Sequence, residues 1–136
     1  MPYEVLSHTA DTGIEARAGS LADLVADLAA GMFTLIADPD CRTAEDRIEL
    51  VVGAPTPEDL VVEVLSDLLY ESEVRELWLC DFDVEPEGDL RIKVRARGVP
   101  LSEVELVGPP IKAVTYHLLT VIEDSGGWYG RVYFDV

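Results

Sequence analysis

The sequence predicts an α+β fold: a mostly antiparallel β-sheet with two helices packed on one face. Three observations carry that expectation. Two stretches place apolar residues at the i, i+3, i+4, i+7 spacing of a half-buried helix. Strand-length segments follow one another through short turns, which favours antiparallel pairing. The length of 136 residues suits one domain spanning 1–136, with a single core, and is short for two ordinary domains. Two amphipathic helices on a sheet give a layered architecture.

The first helix opens at Ser20, a natural N-cap, with Asp23 three residues on. Leu21, Leu24, Val25, Leu28, Ala29, Met32, Phe33 and Ile36 then mark one buried stripe, expected to end near Asp38-Pro39 because a residue preceding proline is pushed out of helical geometry. The second helix opens with "TPED": Thr56 caps, Pro57 takes the first helical position, and the acids face the positive end of the dipole. Its stripe is Leu60, Val61, Val64, Leu65, Leu68 and Leu69. The remaining segments read as strands over 2–7, 14–18, 47–52, 77–86, 89–98, 111–123 and 127–136, with 99–110 a loop.

One hairpin is registered by charge. Leu79, Asp81, Asp83 and Glu85 alternate with Cys80, Phe82 and Val84, while Arg91, Lys93, Arg95 and Arg97 alternate with Leu90, Ile92, Val94 and Ala96. A three-residue loop at Glu87-Gly88-Asp89 sets Glu85 opposite Arg91, Asp83 opposite Lys93 and Asp81 opposite Arg95, leaving the other face apolar. The basic row therefore reads as a solvated salt-bridge ladder rather than a nucleic-acid surface.

Composition bounds the partners. Ten Lys plus Arg against 27 Asp plus Glu give a formal charge of −17, a field that repels polyanions and argues against direct, high-affinity nucleic-acid binding. A cation or a basic partner fits better; adaptation to a salty cytoplasm is the other reading of such acidity. The N-terminus carries no basic and apolar leader pattern, and no run approaches the roughly 20 apolar residues of a membrane span, so no membrane association and a cytoplasmic location are expected. Cys41 and Cys80 lie far apart with no C-x-x-C pattern, and suit small buried thiols better than a disulfide or a zinc site.

"HTADTG", residues 8–13, contains the Asp-Thr-Gly tripeptide of aspartic proteases. The context is wrong for one: Asp11 follows polar "SHTA", not an apolar strand. An Asp in a turn otherwise fixes the turn through backbone amides, and Gly13 adds a permissive backbone. The C-terminal Asp135-Val136 supplies two more anions, a side chain and a terminal carboxylate. Brought beside Asp11 they make a three-carboxylate cluster that repels itself unless a proton, a basic residue or a divalent cation compensates. Hard oxygen ligands suit Ca²⁺, Mg²⁺ or Mn²⁺.

"YEVLSHTADTGIEARAGSLADLVADLAAGMFTLIAD", "LVVEVLSDLLY" and "IKAVTYHLLTVIE" followed by "GWYGRVYFDV" together resemble the archease family across essentially the whole chain. The resemblance implies a small accessory protein without catalysis of its own. Such a protein assists the GTP-dependent RtcB-type RNA ligase in tRNA splicing or RNA repair, promoting guanylylation of the ligase and multiple turnover. It also implies metal-binding carboxylates at Asp11, Asp135 and the terminal carboxylate of Val136. Lys112 and His117 fall in the K-A-V-T-Y-H element; read as one strand, they point to opposite faces. Lys112 is then the candidate to offset the carboxylates or meet a nucleotide phosphate. His117 shares a face with Ile111, Ala113 and Leu119 and reads as a core histidine more readily than as a ligand. His8, three residues before Asp11, either orients it or makes a turn hydrogen bond. Thr12 departs from the aliphatic residue usual after H-T-A-D. Two other functions stay open: a stand-alone divalent-metal-dependent hydrolase, which would need a base beside the metal, and a general chaperone or scaffold, which would need an exposed apolar patch.

Overall fold

The computed structural model describes residues 3–7 and 12–136. In chain order the strands are β1 (Tyr3–Ser7), β2 (Thr12–Ala18), β3 (Asp46–Gly53), β4 (Leu77–Gly88), β5 (Arg91–Pro100), β6 (Ala113–Val114), β7 (Thr120–Asp124) and β8 (Gly127–Asp135), with helices α1 (Leu21–Thr34) and α2 (Pro57–Arg75). The α+β class and antiparallel pairing are as predicted. The strands divide into two sheets, however, rather than one. A five-stranded sheet runs β1-β2-β8, with β6 and β7 both on the far edge of β8, and a three-stranded sheet runs β3-β5-β4. Each helix touches strands of both sheets.

Both helices begin where their caps place them. Ser20 Oγ accepts from the Asp23 N–H at 3.1 Å, and Thr56 Oγ1 accepts from the Asp59 N–H at 3.1 Å. A cap is worth about 1 kcal/mol, whereas each fully buried Leu or Val contributes roughly 1.5–3 kcal/mol. Packing of the stripes therefore dominates the helices' stability. Leu24, Val25, Leu28 and Met32 of α1, and Leu60, Val61, Val64, Leu65 and Leu68 of α2, are completely buried. Gly130 of β8 lets α1 approach the five-stranded sheet, since a Cβ there would stand 3.1 Å from both Leu24 and Leu28. On the other side Phe33 stacks on Phe82 of β4, with ring centroids 5.7 Å apart, and the Trp78 indole N–H donates to the Phe33 carbonyl at 2.8 Å. The first helix ends at Thr34, short of Pro39, and Ile36 lies beyond it.

The β4–β5 hairpin keeps its expected faces from Asp83 onward but not its expected register. Asp83 lies opposite Arg95 and Glu85 opposite Lys93, two positions from the charge-based alignment, with irregularities between Cys80 and Asp83 and between Pro86 and Gly88. The turn is Asp89-Leu90, with Leu90 left-handed at φ 49° and Asp81 likewise at φ 55°. A shift of two residues leaves Asp83, Val84 and Glu85 on their original faces. Ile92, Val94 and Ala96 are accordingly buried. Ahead of the irregularity the faces exchange: Cys80 lies opposite Arg97, and Leu79, expected on the charged face, is fully buried. The outer face carries the ladder: Arg95 to Glu85 and Lys93 to Glu87, both 3.0 Å, and Arg97 to Asp81 at 3.4 Å.

Cys41 and Cys80 are not free thiols. They form a disulfide with Cα atoms 6.1 Å apart. The order β3-β5-β4 explains it. Asp46 at the start of β3 pairs with Gly98, while Cys80 of β4 pairs with the adjacent Arg97. The 3₁₀ turn Cys41–Thr43, just ahead of β3, is thereby carried to the Cys80 end of the sheet. A separation of 39 residues hides this proximity from the sequence.

Candidate functional site

Of the residues predicted from sequence, Asp135 and Val136 lie at the end of the five-stranded sheet where β8 stops. Thr12, the sequence neighbour of Asp11, pairs with Phe134 of β8, so the first described residue after the H-T-A-D segment sits one position from Asp135. On the opposite edge Ala113 pairs with Asp135, and the Lys112 N–H donates to the Asp135 carbonyl at 2.7 Å. Three chain segments therefore converge on Asp135-Val136: the entry to β2, the end of β8 and the entry to β6. The Asp135 and Lys112 side chains are exposed. Among the described residues neither forms an ion pair within 4.0 Å. His8 and Asp11 lie outside the described residues.

His117 is not a core residue. The segment predicted as one strand, 111–123, is interrupted: β6 and β7 keep to the same edge of β8, but residues 115–119 form a loop opposite only Val132 and Tyr133. The inward face assumed for Ala113 and His117 is the outer one: Ala113 is exposed opposite Asp135, and the left-handed Leu118, at φ 53°, then ends the alternation before Leu119. His117 is exposed, and its ring meets Tyr133 edge-on at 6.1 Å. Tyr133 shares a strand face with Asp135, so His117 stands on the same face as the carboxylate.

Hydrogen bonds hold the loop in place. Thr115 donates from both N–H and Oγ1 to the Tyr133 carbonyl, at 3.1 and 2.9 Å. Arg131 Nε donates to the Leu118 carbonyl at 3.1 Å. Tyr116 O–H donates to Asp59 in the first turn of α2 at 2.8 Å, an interaction with the carboxylate that raises the phenol's pKa.

Two residues that the sequence reading did not single out shape this face. Tyr133 is almost fully buried although it lies on the outer side of the sheet. Its ring lies over Gly13, the residue opposite it on β2, where a Cβ would fall 2.7 Å from the ring. Gly13 is therefore a seat for an aromatic ring as well as a turn residue. Further along the same face, Tyr129 O–H donates to Glu15 at 2.6 Å, and Arg17 covers the Tyr129 ring at 5.5 Å while pairing with Asp124 at 3.0 Å. Burial, followed by the Glu15 contact, raises the Tyr129 pKa; the Arg17 contact, followed by the Gly126 N–H, lowers that of Asp124. The period-two spacing of Tyr129, Arg131, Tyr133 and Asp135 was the signal available in the sequence.

Chemically, the Asp135 carboxylate is a hard oxygen donor of the kind that suits Ca²⁺, Mg²⁺ or Mn²⁺. Among the described residues no three His, Cys, Asp or Glu side chains come together to hold a metal ion. No helix among the described residues is long and apolar enough to cross a membrane.

The elements and their end-of-sheet site define a small antiparallel α+β protein with an acidic tip. Residues 3–136 match the archease protein family (MTH1598/TM1083), and the chain belongs to that family. It is 35% identical to a protein archease of Methanosarcina mazei, covering 98% of this chain and 95% of that one. To the protein archease of Methanopyrus kandleri it is 28% identical, with both chains covered in full at 100%. Two solved structures share the fold, each at 24% identity. The solution structure of Methanobacterium thermoautotrophicum protein 1598 gives a TM-score of 0.78 over 99% of both chains. The crystal structure of an archease from Thermotoga maritima, described as a possible chaperone, gives 0.65 over 98% of this chain and 96% of that one.

Proposed function

We propose that this chain is a non-catalytic, metal-binding activator of a GTP-dependent RtcB-type RNA ligase. One observation supports the reading above the others: Asp135 lies, without an ion-pair partner among the described residues, between the strand that follows Asp11 and the segment that carries Lys112. In the proposed site Asp11, Asp135 and the Val136 carboxylate hold one divalent cation, which relieves their mutual repulsion. The cation supplies Lewis acidity or charge compensation at a partner's nucleotide site. Lys112 faces a phosphate or moderates the local negative charge, and His117 on its Tyr133 platform contacts the partner. The exposure of the Asp135 and Lys112 side chains leaves both open to a partner's approach.

The test is turnover counting. The protein is mixed with its own organism's ligase, GTP, Mn²⁺ and broken RNA, and ligation events per ligase are measured with and without it. A ligase that cycles equally well alone would remove the activator reading. Chaperone activity is the second reading, favoured by the exposed apolar side chains Tyr70, Val74, Leu106 and Val107. Suppression of aggregation of an unrelated unfolded protein, without any effect on the ligase, would select it.

A further inference from the structure

α2 and the segment 101–111, which leads into Lys112 at the sheet end, enclose an apolar groove. Ile36, Leu69, Leu101, Leu106, Pro110 and Ile111 line it, and its volume is about 200 Å³. Leu106, one of the lining residues, is 60% exposed, and Val107 next to it in the same wall is 67% exposed. Isolated exposed apolar residues are ordinary, but an exposed Leu-Val pair in the wall of an apolar groove is the kind of feature that marks an interaction site.

The groove is pre-formed although its outer wall has little regular structure. The Leu101 N–H donates to the Glu76 carbonyl at 2.8 Å and the Val107 N–H to the Ile36 carbonyl at 2.9 Å, while Leu106 bridges to Ala37. A wall tied down in this way loses little further freedom when something binds.

Size and charge select the occupant. A cavity of about 200 Å³ is smaller than the roughly 300–1,000 Å³ of small-molecule and cofactor pockets. It suits one or two anchoring side chains. Glu73 lines the groove, and the exposed Glu103 and Glu105 stand in its outer wall. The one cation of α2, Arg75, is already engaged by Glu71 at 3.5 Å. Such a rim repels nucleic acid and anionic lipid and attracts Lys and Arg.

We propose that this groove docks a cationic amphipathic segment of a protein partner. One or two of its apolar side chains enter between α2 and residues 101–111, and its flanking Lys or Arg residues face the acidic rim. The proposal does not depend on the metal-site reading.

The probe is a fluorescein-labelled 18-residue peptide with Leu at helical spacing i, i+3, i+4, i+7 and Lys between, compared with the same peptide carrying Ser for Leu. Anisotropy titrations against the full chain should show binding of the Leu peptide, weakened by salt, and roughly tenfold or more weaker binding of the Ser peptide. Leu106→Glu and Val107→Glu, each at an exposed position, should each weaken the Leu peptide by roughly tenfold or more, and Glu73→Lys by roughly threefold. Val51→Glu, at an exposed position on β3, should leave it unchanged. Equal binding of the two peptides, or wild-type affinity in both groove variants, overturns the proposal. So does sedimentation showing a dimer that Leu106→Glu dissociates while the Leu peptide fails to bind, which assigns the groove to a second copy of the chain.

Discussion

On the three-stranded sheet the charges answer one another: Arg95 meets Glu85 at 3.0 Å, Lys93 meets Glu87 at 3.0 Å and also reaches Glu49 at 3.7 Å. At the end of the five-stranded sheet the Asp135 carboxylate has no such answer among the described residues, although Lys112 is its backbone neighbour. Both regions are strand faces rich in charge, and the sequence of the first is the more eye-catching. The comparison teaches that charge density is a poor guide to function. A row of cations with acids across the strand neutralises itself and contributes little, whereas a few like charges at a chain convergence leave a field that something else must balance.

The sharpest way to break this comparison uses two adjacent residues on opposite faces of β8. Phe134 is fully buried, and Phe134→Ala should destabilise the protein by about 3–5 kcal/mol in urea denaturation. Asp135→Asn next to it should change stability by less than about 0.5 kcal/mol, as exposed substitutions usually do. In Mn²⁺ calorimetry it should cost at least the ~10–100-fold in affinity that losing even an outer-shell partner costs a metal site. A destabilised Asp135→Asn protein with unchanged affinity would make the residue structural.

Next in size is the disulfide of the three-stranded sheet. Reducing Cys41–Cys80, or replacing both by Ser, should lower stability by about 2–4 kcal/mol, read from denaturation with and without reductant. Metal affinity at the opposite sheet should not change. A coupled loss would show that the two sheets do not act independently.

How much of this was legible beforehand depends on the range of the interaction. The helices were, because Ser20 and Thr56 cap within three residues and the stripes repeat within a turn. The faces of β5 and of β4 from Asp83 onward were, because alternation survives a shift of two. The register, and the faces of Leu79 and Cys80, were not, since Asp81 and Leu90 adopt left-handed backbones that no periodicity announces. His117 was misplaced because the small Ala113 passes for a core residue in sequence, while pairing sets it opposite Asp135 on the exposed face. The Cys41–Cys80 bond and the division into two sheets depend on contacts far apart in sequence, which one chain read linearly does not display. At the candidate site, the meeting of Asp135 with Lys112 and the Thr12 strand follows from terminal strand pairing. The Gly13–Tyr133 seat does not, because it is a fit between two surfaces.

Two smaller effects sharpen the contrast. Arg95→Ala on the ladder should shift the denaturation midpoint too little to resolve, because three acids shared one exposed cation in solvent. A clear loss would mean that the ladder acts as a network. The last effect is on α2, where Asp67 has its folded pKa raised by burial first and then by Glu63 and Glu71. The stability associated with its protonated form is present below its unfolded pKa and lost as pH rises through the raised folded value. Asp67→Asn should therefore raise the melting temperature slightly at pH 7 and leave it unchanged at pH 3. The same change at both pH values would exclude charge as the cause.

The position of β8 carries a consequence for how the protein comes into being. It is the strand on which β2, β6 and β7 all depend, and its pairing with β2 joins Thr12 to Phe134 across most of the chain. Contacts so distant are slow to close, because a long loop must be ordered before any of them forms. On a ribosome, β3, α2, β4 and β5 emerge together and can pair while β2 has only β1 beside it and still waits for β8. The convergence on Asp135 forms only after that, and a chain halted before β8 would present a nearly finished three-stranded sheet beside a lone β1–β2 hairpin.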